Sequence, residues 1–329
     1  MNKKWIKTGV LLTFFILSGC EKAKDFSPPK ETEETKTDIV IGATLASRDS
    51  PYLQTISEYM VAKAEEENIT LMLEYADWDA EVQTRQLNEF RRRQVDAVIF
   101  CPVNTKAMQM PLKKLKEARI PVINLNMRVD AVSSVYVDTY IGASNSQEAS
   151  MAAEMVIEIF GADGGQIGII EGAPGSDAQI YRTQTFVEQL TAHPEIEIVA
   201  LGKGGWDREK ARLAAWDMLT KYPKLQVIYC HDSDMAMGAI TAVEDLNLQG
   251  RVQVIGISES EEYIQAVQEG RLYGFVTQPP EYEGITSIEK AVDAAGGMTL
   301  RAWYKSPIQI VTGENVELFI LKEDKASGR

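Results

Sequence analysis

From Asp38 onward, apolar runs of strand length alternate with helical patterns, and the alternation occurs twice in succession. The first series is "DIVIGATLA" from Asp38, "TLMLEYA" from Thr70, "VDAVIFC" from Val95, "IPVINLN" from Ile120 and "SVYVDTYIGA" from Ser134. The second is "GQIGIIEG" from Gly165, "IEIVALG" from Ile196, "LQVIYCH" from Leu225, "VQVIGIS" from Val252 and "LYGFVTQ" from Leu272. Near-continuous apolar strands separated by helices require parallel sheets covered on both faces. One of the helices is expected from Pro51, with Ser50 as its N-cap and Leu53, Ile56, Met60 and Ala64 on one face. The fold class is therefore α/β, with two similar, doubly wound parallel-sheet lobes.

In such sheets ligands bind beyond the carboxyl ends of the strands, so the residues that follow each strand are the site candidates. They are Arg48 to Tyr52, including Asp49, then Pro102 to Thr105, Asn126 to Arg128, Ala173 to Asp177, Trp206, Asp232 to Asp234, Ser258 to Ser260, and Gln278. Hydrogen-bonding groups mixed with aromatics suit a small polar ligand with an apolar face, such as a sugar ring. Trp206 stands between "KGG" and a helix expected to start at an Asp207 N-cap, with Ala211, Ala214, Ala215 and Met218 at helical spacing. Two readings of it are open: a hydrophobic staple packing on Ala211, or a platform for a ligand ring.

Several function classes are excluded or weakened. A net charge of −14 is wrong for a nucleic-acid surface. The one compact basic run, "FRRRQ" at Phe90 to Gln94, falls at an expected helix end, where it complements the dipole. No GxGxxG follows a strand, and there is no GxxxxGK[ST], G-x-S-x-G or calcium-loop motif. "GADGG" at Gly161 to Gly165 reads as helix termination. His231, Asp232, Ser233 and Asp234 are triad-type residues, but consecutive residues cannot converge as a triad does. With His193 and His231 the only histidines and no Cys/His cluster, neither metal nor cofactor is expected, and the chain does not read as an enzyme. Cys101 and Cys230 end equivalent strands of the two series and read as buried free thiols.

The first residues form a targeting segment. Lys3, Lys4 and Lys7 precede the apolar "GVLLTFFIL", which is too short to span a bilayer unaided. "LSGC" at Leu17 to Cys20 resembles the bacterial lipobox, which implies a signal peptide over 1–19 and lipidation of Cys20. Residues 21–37, "EKAKDFSPPKETEETKT", are polar and aperiodic and read as a flexible tether. Stretched, it would reach roughly 50 Å at about 3.3 Å per residue. The expected location is the outer face of the cell membrane of a Gram-positive bacterium.

The motifs "VDAVIFCPVNTKAM", "IPVINLN", "EGAPGSDAQIYRTQTF", "WDREKARLAAWDMLTKYP", "CHDSDMAMGAITAV", "VQVIGIS" and "FVTQPP" occur in an order that resembles the sugar-binding proteins of ABC importers. The similarity is to the ribose- and galactose-binding branch of type 1 periplasmic binding proteins and covers Asp38 to about Glu323. It implies a three-strand hinge, an N-terminal lobe of 38–144 plus 279–306, and a C-terminal lobe of 145–278 plus 307–323. It also implies that Tyr52 and Trp206 sandwich a sugar ring and that Arg182 donates to its hydroxyls. Asp232 and Gln278 match further polar contacts, and Asn145 lies at the first crossover. The family pattern has Asp-Arg where this chain has Asn126 and Met127, with Arg128 nearby, and an aspartate where it has Ser258. The turn "ASRDSPY" is longer than the family's, which lets Arg48 and Asp49 reach the cleft. These departures make a hexose, a polyol such as inositol or a modified sugar as good a ligand as ribose, within a class of hexose, pentose or inositol-like rings. The implied protein is a monomer that delivers this ligand to an ABC permease; a sensory subunit signalling to a histidine kinase or chemoreceptor is the alternative.

Overall fold

The computed structural model describes residues 39–320, all within one compact unit. Cys20, the segment before it, the tether and residues 321–323 lie outside the described residues. The first sheet is built from β1 (Val40–Leu45), β2 (Thr70–Tyr75), β3 (Ala97–Phe100), β4 (Val122–Leu125), β5 (Thr139–Gly142) and, from far along the chain, β11 (Trp303–Lys305). The second contains β6 (Gly165–Glu171), β7 (Ile196–Lys203), β8 (Leu225–Cys230), β9 (Gln253–Ile257), β10 (Gly274–Val276) and β12 (Ile310–Thr312). Their orders are β2-β1-β3-β4-β5-β11 and β7-β6-β8-β9-β10-β12, so each begins with the same doubly wound 2-1-3-4-5 pattern. All pairings are parallel except β10 with β12.

The helices are α1 (Pro51–Glu66), α2 (Ala80–Arg93), α3 (Gln109–Glu117), α4 (Ala131–Ser134), α5 (Asn145–Phe160), α6 (Asp177–Leu190), α7 (Arg208–Lys221), α8 (Ser233–Asp245), α9 (Glu261–Gln268) and α10 (Pro280–Ala295). Ser50 Oγ accepts from the Leu53 N–H, and Leu53, Ile56, Met60 and Ala64 form the buried face of α1. The three arginines of "FRRRQ" end α2, whose Gln94 C-cap is left-handed. Burial of both faces is plainest in β3 and β4, where every residue is buried. Cys101 and Cys230 are buried free thiols just beyond β3 and at the end of β8. Burial pushes the Cys101 thiol up to about 12.

Two boundaries differ from the sequence reading. The run from Ser134 is a strand only from Thr139, because Asp130 Oδ1 accepts from the Ser133 N–H and caps the short α4 instead. Strands β11 and β12 have no counterpart in that reading, being three residues each and too short to show a period.

The chain passes between the two sheets three times, from β5 to α5, from β10 to α10 and from β11 to β12. Helix α5 packs on α6 and the second sheet, whereas α10 packs on α1 and the first. Helices α7 and α8 lie in close contact. A Cβ on Gly238 of α8 would come within 2.1 Å of the Arg208 carbonyl at the start of α7. Gly238→Ala is therefore expected to force the two helices apart and to lower stability by about 1–3 kcal/mol, read by chemical denaturation. An unchanged midpoint would mean that α7 is free to shift at its N-terminal end.

Candidate functional site

A cavity with about 490 Å³ of empty space opens between the carboxyl ends of the two sheets. The first sheet's side supplies Tyr52, in the first turn of α1, and Asn126, just past β4. The other side supplies Arg182 of α6, Trp206 before α7, Asp232 at the N-cap of α8 and Ser258 after β9. Asn145 and Gln278 enter from two of the chain crossings. Eight of the sequence-derived candidates thus meet around one space.

Asp49 is not among them. It is exposed and lines a neighbouring outer cleft with Ser47, Lys210 and Asp234, while Ser50, Trp78 and Trp206 border both spaces. The turn explains this placement: the Asp49 N–H donates to Ser47 Oγ at 3.1 Å, and Ser50 is committed to capping α1. Arg128 also stays outside. Its guanidinium lies 4.2 Å from the Tyr140 ring centroid and 4.0 Å from that of Trp303, a cation held between two aromatic faces.

Arg182 is the most constrained group in the wall. Its Nε and Nη2 donate to Glu148 Oε2 at 3.2 and 2.9 Å, with side-chain exposures of 4% and 0% for the two residues. Nη1 donates to the His231 carbonyl, and Nη2 reaches Gln278 Oε1 at 3.4 Å. The arginine therefore both pairs with a helix carboxylate and faces the cavity. Burial raises the Glu148 carboxyl above its ordinary value while Arg182 opposes the rise, and burial with the neighbouring guanidinium keeps His231 neutral.

Asn145 Nδ2 donates to Asp177 Oδ2 at 2.8 Å, and Asn126 Nδ2 donates to Glu283 Oε2 at 2.9 Å. Asp232 uses Oδ1 to accept from the Met235 N–H at 2.9 Å. It is thus a helix cap and a cavity wall at once. Desolvation, foremost, pushes the Asp232 and Glu283 carboxyls up to about 7 and Asp177 up to about 6.

Asn126, Trp78 and Trp206 have φ of +59°, +63° and +64°, and Ser258 has +146°. Asparagine tolerates the left-handed region, but a tryptophan there is a genuine outlier of the kind stored at functional sites. Trp206 is fixed by contact as well: a Cβ on Gly172, at the end of β6, would lie 1.9 Å from its ring. Its indole Nε1 is buried without a hydrogen-bond partner. Both readings of Trp206 find support, since its ring packs against the second lobe's core and lines the cavity.

Trp78, Glu148 and Glu283 are site residues that the strand-end reading did not single out, whereas Asp177 falls within its Ala173 to Asp177 stretch. Trp78 had a legible signal. "ADWDAE" and "GGWDRE" both place Trp-Asp before a helix, after the second strand of each series. In both, the aspartate is the N-cap, accepting from Val82 N at 3.0 Å and from Lys210 N at 2.8 Å. The buried carboxylates had none, because a helical glutamate looks the same in sequence whether it faces solvent or core.

A cavity between two hinged sheets, walled by aromatics and by polar groups already held in place, defines a receptor that encloses a small polar ligand. Residues 41–299 match the periplasmic binding protein domain, and the chain belongs to that family. It is 22% identical over 311 residues to the ribose import binding protein of Bacillus subtilis (strain 168), covering 94% of this chain and 99% of that protein. An ABC transporter solute-binding protein from Bacillus halodurans C-125, solved with bound myo-inositol, superposes with a TM-score of 0.82 at 28% identity over 87% of this chain and 98% of that one. A periplasmic solute-binding protein of an ABC transporter from Actinobacillus succinogenes 130z, with bound D-allose, gives 0.81 at 25% identity over 85% and 100%. Among the described residues, no helix is long and apolar enough to cross a membrane.

The Asp232 environment predicts a pH signature. Its folded pKa of about 7 exceeds the ordinary 3.8, so the ionisation cost of burial is absent below pH 3.8, grows as pH rises from there to about 7, and is constant above it. Asp232→Asn retains a good N-cap acceptor and removes the charge. The ligand-free variant should melt above the wild type at pH 8, with a margin that narrows toward pH 4. A margin independent of pH rules out the buried charge as its source.

Proposed function

We propose that the protein is an extracytoplasmic solute-binding lipoprotein that closes on a monosaccharide or cyclic polyol and presents it to the permease of an ABC importer. The observation that carries this reading is the convergence of Tyr52, Trp206, Arg182, Asn126, Asn145, Asp232, Ser258 and Gln278 on one interlobe cavity. The ring lies against Trp206, with Tyr52 and Trp78 on the opposing side, since sugar C–H faces match aromatic π surfaces. Its hydroxyls meet the Arg182 guanidinium, the Asp232 carboxylate, the amides and Ser258. Closure excludes water, so each correct hydroxyl gains a stronger hydrogen bond and each misplaced one leaves a buried group unpaired. The ligand classes named for relatives, ribose, allose and myo-inositol, support this chemistry.

The lobes are 38–144 with 279–306 and 145–278 with 307–323, and they turn about the three crossings. The mature protein works as a monomer held on the outer face of the membrane by a lipid on Cys20, with residues 21–37 as tether. The lipobox order and the polar tether support this placement, which suits a Gram-positive cell. No chemical step is assigned to the site: the ligand is bound and released unchanged.

A thermal-shift screen of mature protein against D-ribose, D-allose, myo-inositol, nucleosides and amino acids tests the ligand class. A cognate ligand at about 100 times its Kd adds roughly 2.7 kcal/mol and raises the melting temperature. Trp206→Ala should abolish that rise and leave the ligand-free melting temperature within a few degrees. A rise with only a nucleoside or amino acid would overturn the sugar reading, and a Trp206→Ala protein that unfolds without ligand would return Trp206 to the role of a staple. For the anchor, Cys20→Ser should move the protein from the membrane fraction to an unlipidated form; unchanged fractionation excludes a lipid at Cys20.

A further inference from the structure

We propose that Glu283 is a positioning residue that fixes which end of the Asn126 amide meets the ligand, and thereby sets part of the hydroxyl pattern the cleft accepts. The proposal rests on the sugar-binding reading of the cavity. An asparagine amide has a donor end and an acceptor end, and free rotation would present either one to a ligand. Here Asn126 Nδ2 is committed to Glu283 Oε2 at 2.9 Å, so Oδ1 is the end left for the cavity. The residue that replaces the family's aspartate thus still offers an acceptor, with a carboxylate behind it rather than in contact with the ligand.

Glu283 is itself held in place. It is fully buried on α10, just after the second crossing, and its Oε1 accepts from Ser306 Oγ at 2.9 Å in the third. The Ser306 N–H in turn donates to the Gly142 carbonyl at 3.2 Å, where the first crossing begins. The Asn126 backbone carbonyl is fixed as well, accepting from the Tyr140 hydroxyl at 2.6 Å. Both the side chain and the main chain of Asn126 are therefore held by residues next to the hinge. Among the described residues Glu283 forms no ion pair, although Glu148 lies near enough to disfavour its charge. A buried carboxyl held only by neutral donors is costly to keep and does not earn its place through stability. Its titration near about 7 reflects that burial.

The test is a double-mutant cycle on binding. Ligand pairs differing at one hydroxyl, D-allose with D-glucose and myo-inositol with scyllo-inositol, are titrated into wild type, Glu283→Ala, Glu283→Gln, Asn126→Ala and the Glu283→Ala/Asn126→Ala double variant. Glutamine keeps an acceptor for Asn126 Nδ2 and can donate to Ser306, so Glu283→Gln should stay within about threefold of wild type, roughly half of the 1.4 kcal/mol that marks a tenfold change. Glu283→Ala should lose at least tenfold in affinity for the preferred ligand and most of its preference within the pair. In the Asn126→Ala background the same change should do almost nothing. An equal loss in both backgrounds, or an undiminished preference in Glu283→Ala, overturns the proposal.

A ligand-independent measurement separates this outcome from failure of the sugar reading. The Asn126 side-chain amide protons should exchange slowly with solvent in ligand-free wild type and Glu283→Gln, and rapidly in Glu283→Ala. Rapid exchange in the wild type overturns the positioning role whatever the ligand, while slow exchange without binding of any of the four probes faults the ligand class alone.

Discussion

The site depends first on the buried pair between Arg182 and Glu148. Burying an ion pair is weak evidence for stability, because desolvation offsets most of the attraction, but removing one partner strands a charge at about 3–5 kcal/mol. The pair is better understood as a way to hold a guanidinium in a dry wall. Glu148 comes from the helix after the first crossing, the His231 carbonyl from the end of β8, and Gln278 from the second crossing. One cation therefore ties two crossings to the second sheet's edge. Closing the lobes around any ligand means closing them around this fixed group.

The two lobes repeat a plan, and the repeat extends to the site. Each sheet starts in the order 2-1-3-4-5, which places its switch point beside its first strand. After the second strand of each lobe comes Trp-Asp, with the aspartate capping a helix and the tryptophan forced into the left-handed region. Trp206 is pinned by the flatness of Gly172, whereas the Trp78 N–H donates to the Ala46 carbonyl at 2.7 Å. The same local device thus brings an aromatic to the cleft from either side. The strain is local, and the packing of both lobes must support it.

The fold was legible because parallel strands buried on both faces announce themselves as apolar runs, and capping residues such as Ser50 and Asp207 mark where the helices begin. The positions of Tyr52, Asn126, Trp206, Asp232, Ser258 and Gln278 followed from the same logic, since strand ends in a doubly wound sheet share one edge, whereas Arg182 and Asn145 were implied only by the family resemblance. Asp49 escaped it because its conformation depends on a turn closed by Ser47 Oγ, a contact with no sequence period. Glu148 and Glu283 escaped it for a different reason. Each lies in the first turn of a helix, where an exposed glutamate complementing the dipole is the ordinary expectation, and only the three-dimensional fold buries it. Arg128 shows the converse: a charged residue beside Asn126 whose place is taken by Tyr140 and Trp303, residues that no strand-end rule connects to it.

The electrostatics of the cavity restrict the ligand's charge more tightly than its stereochemistry. The one guanidinium in the wall is already neutralised by Glu148, so an anionic ligand would find no uncompensated cation there and would face the Asp232 carboxylate. A cation would find only the Asp232 carboxyl, itself pushed toward neutrality by burial, because Asp177 and Glu283 are already committed to Asn145, Asn126 and Ser306. A neutral ligand with several hydroxyls fits both sets of constraints. Under the proposed sugar reading such a ligand would donate to Asp232 and the Asn126 oxygen, accept from Arg182, and require no new charge to be desolvated. The carboxyls pushed up toward neutrality lead to the same conclusion. Of these carboxyls only Asp232 lines the cavity, so a neutral hydrogen-bond donor on the ligand is what it can take up without further charge being buried.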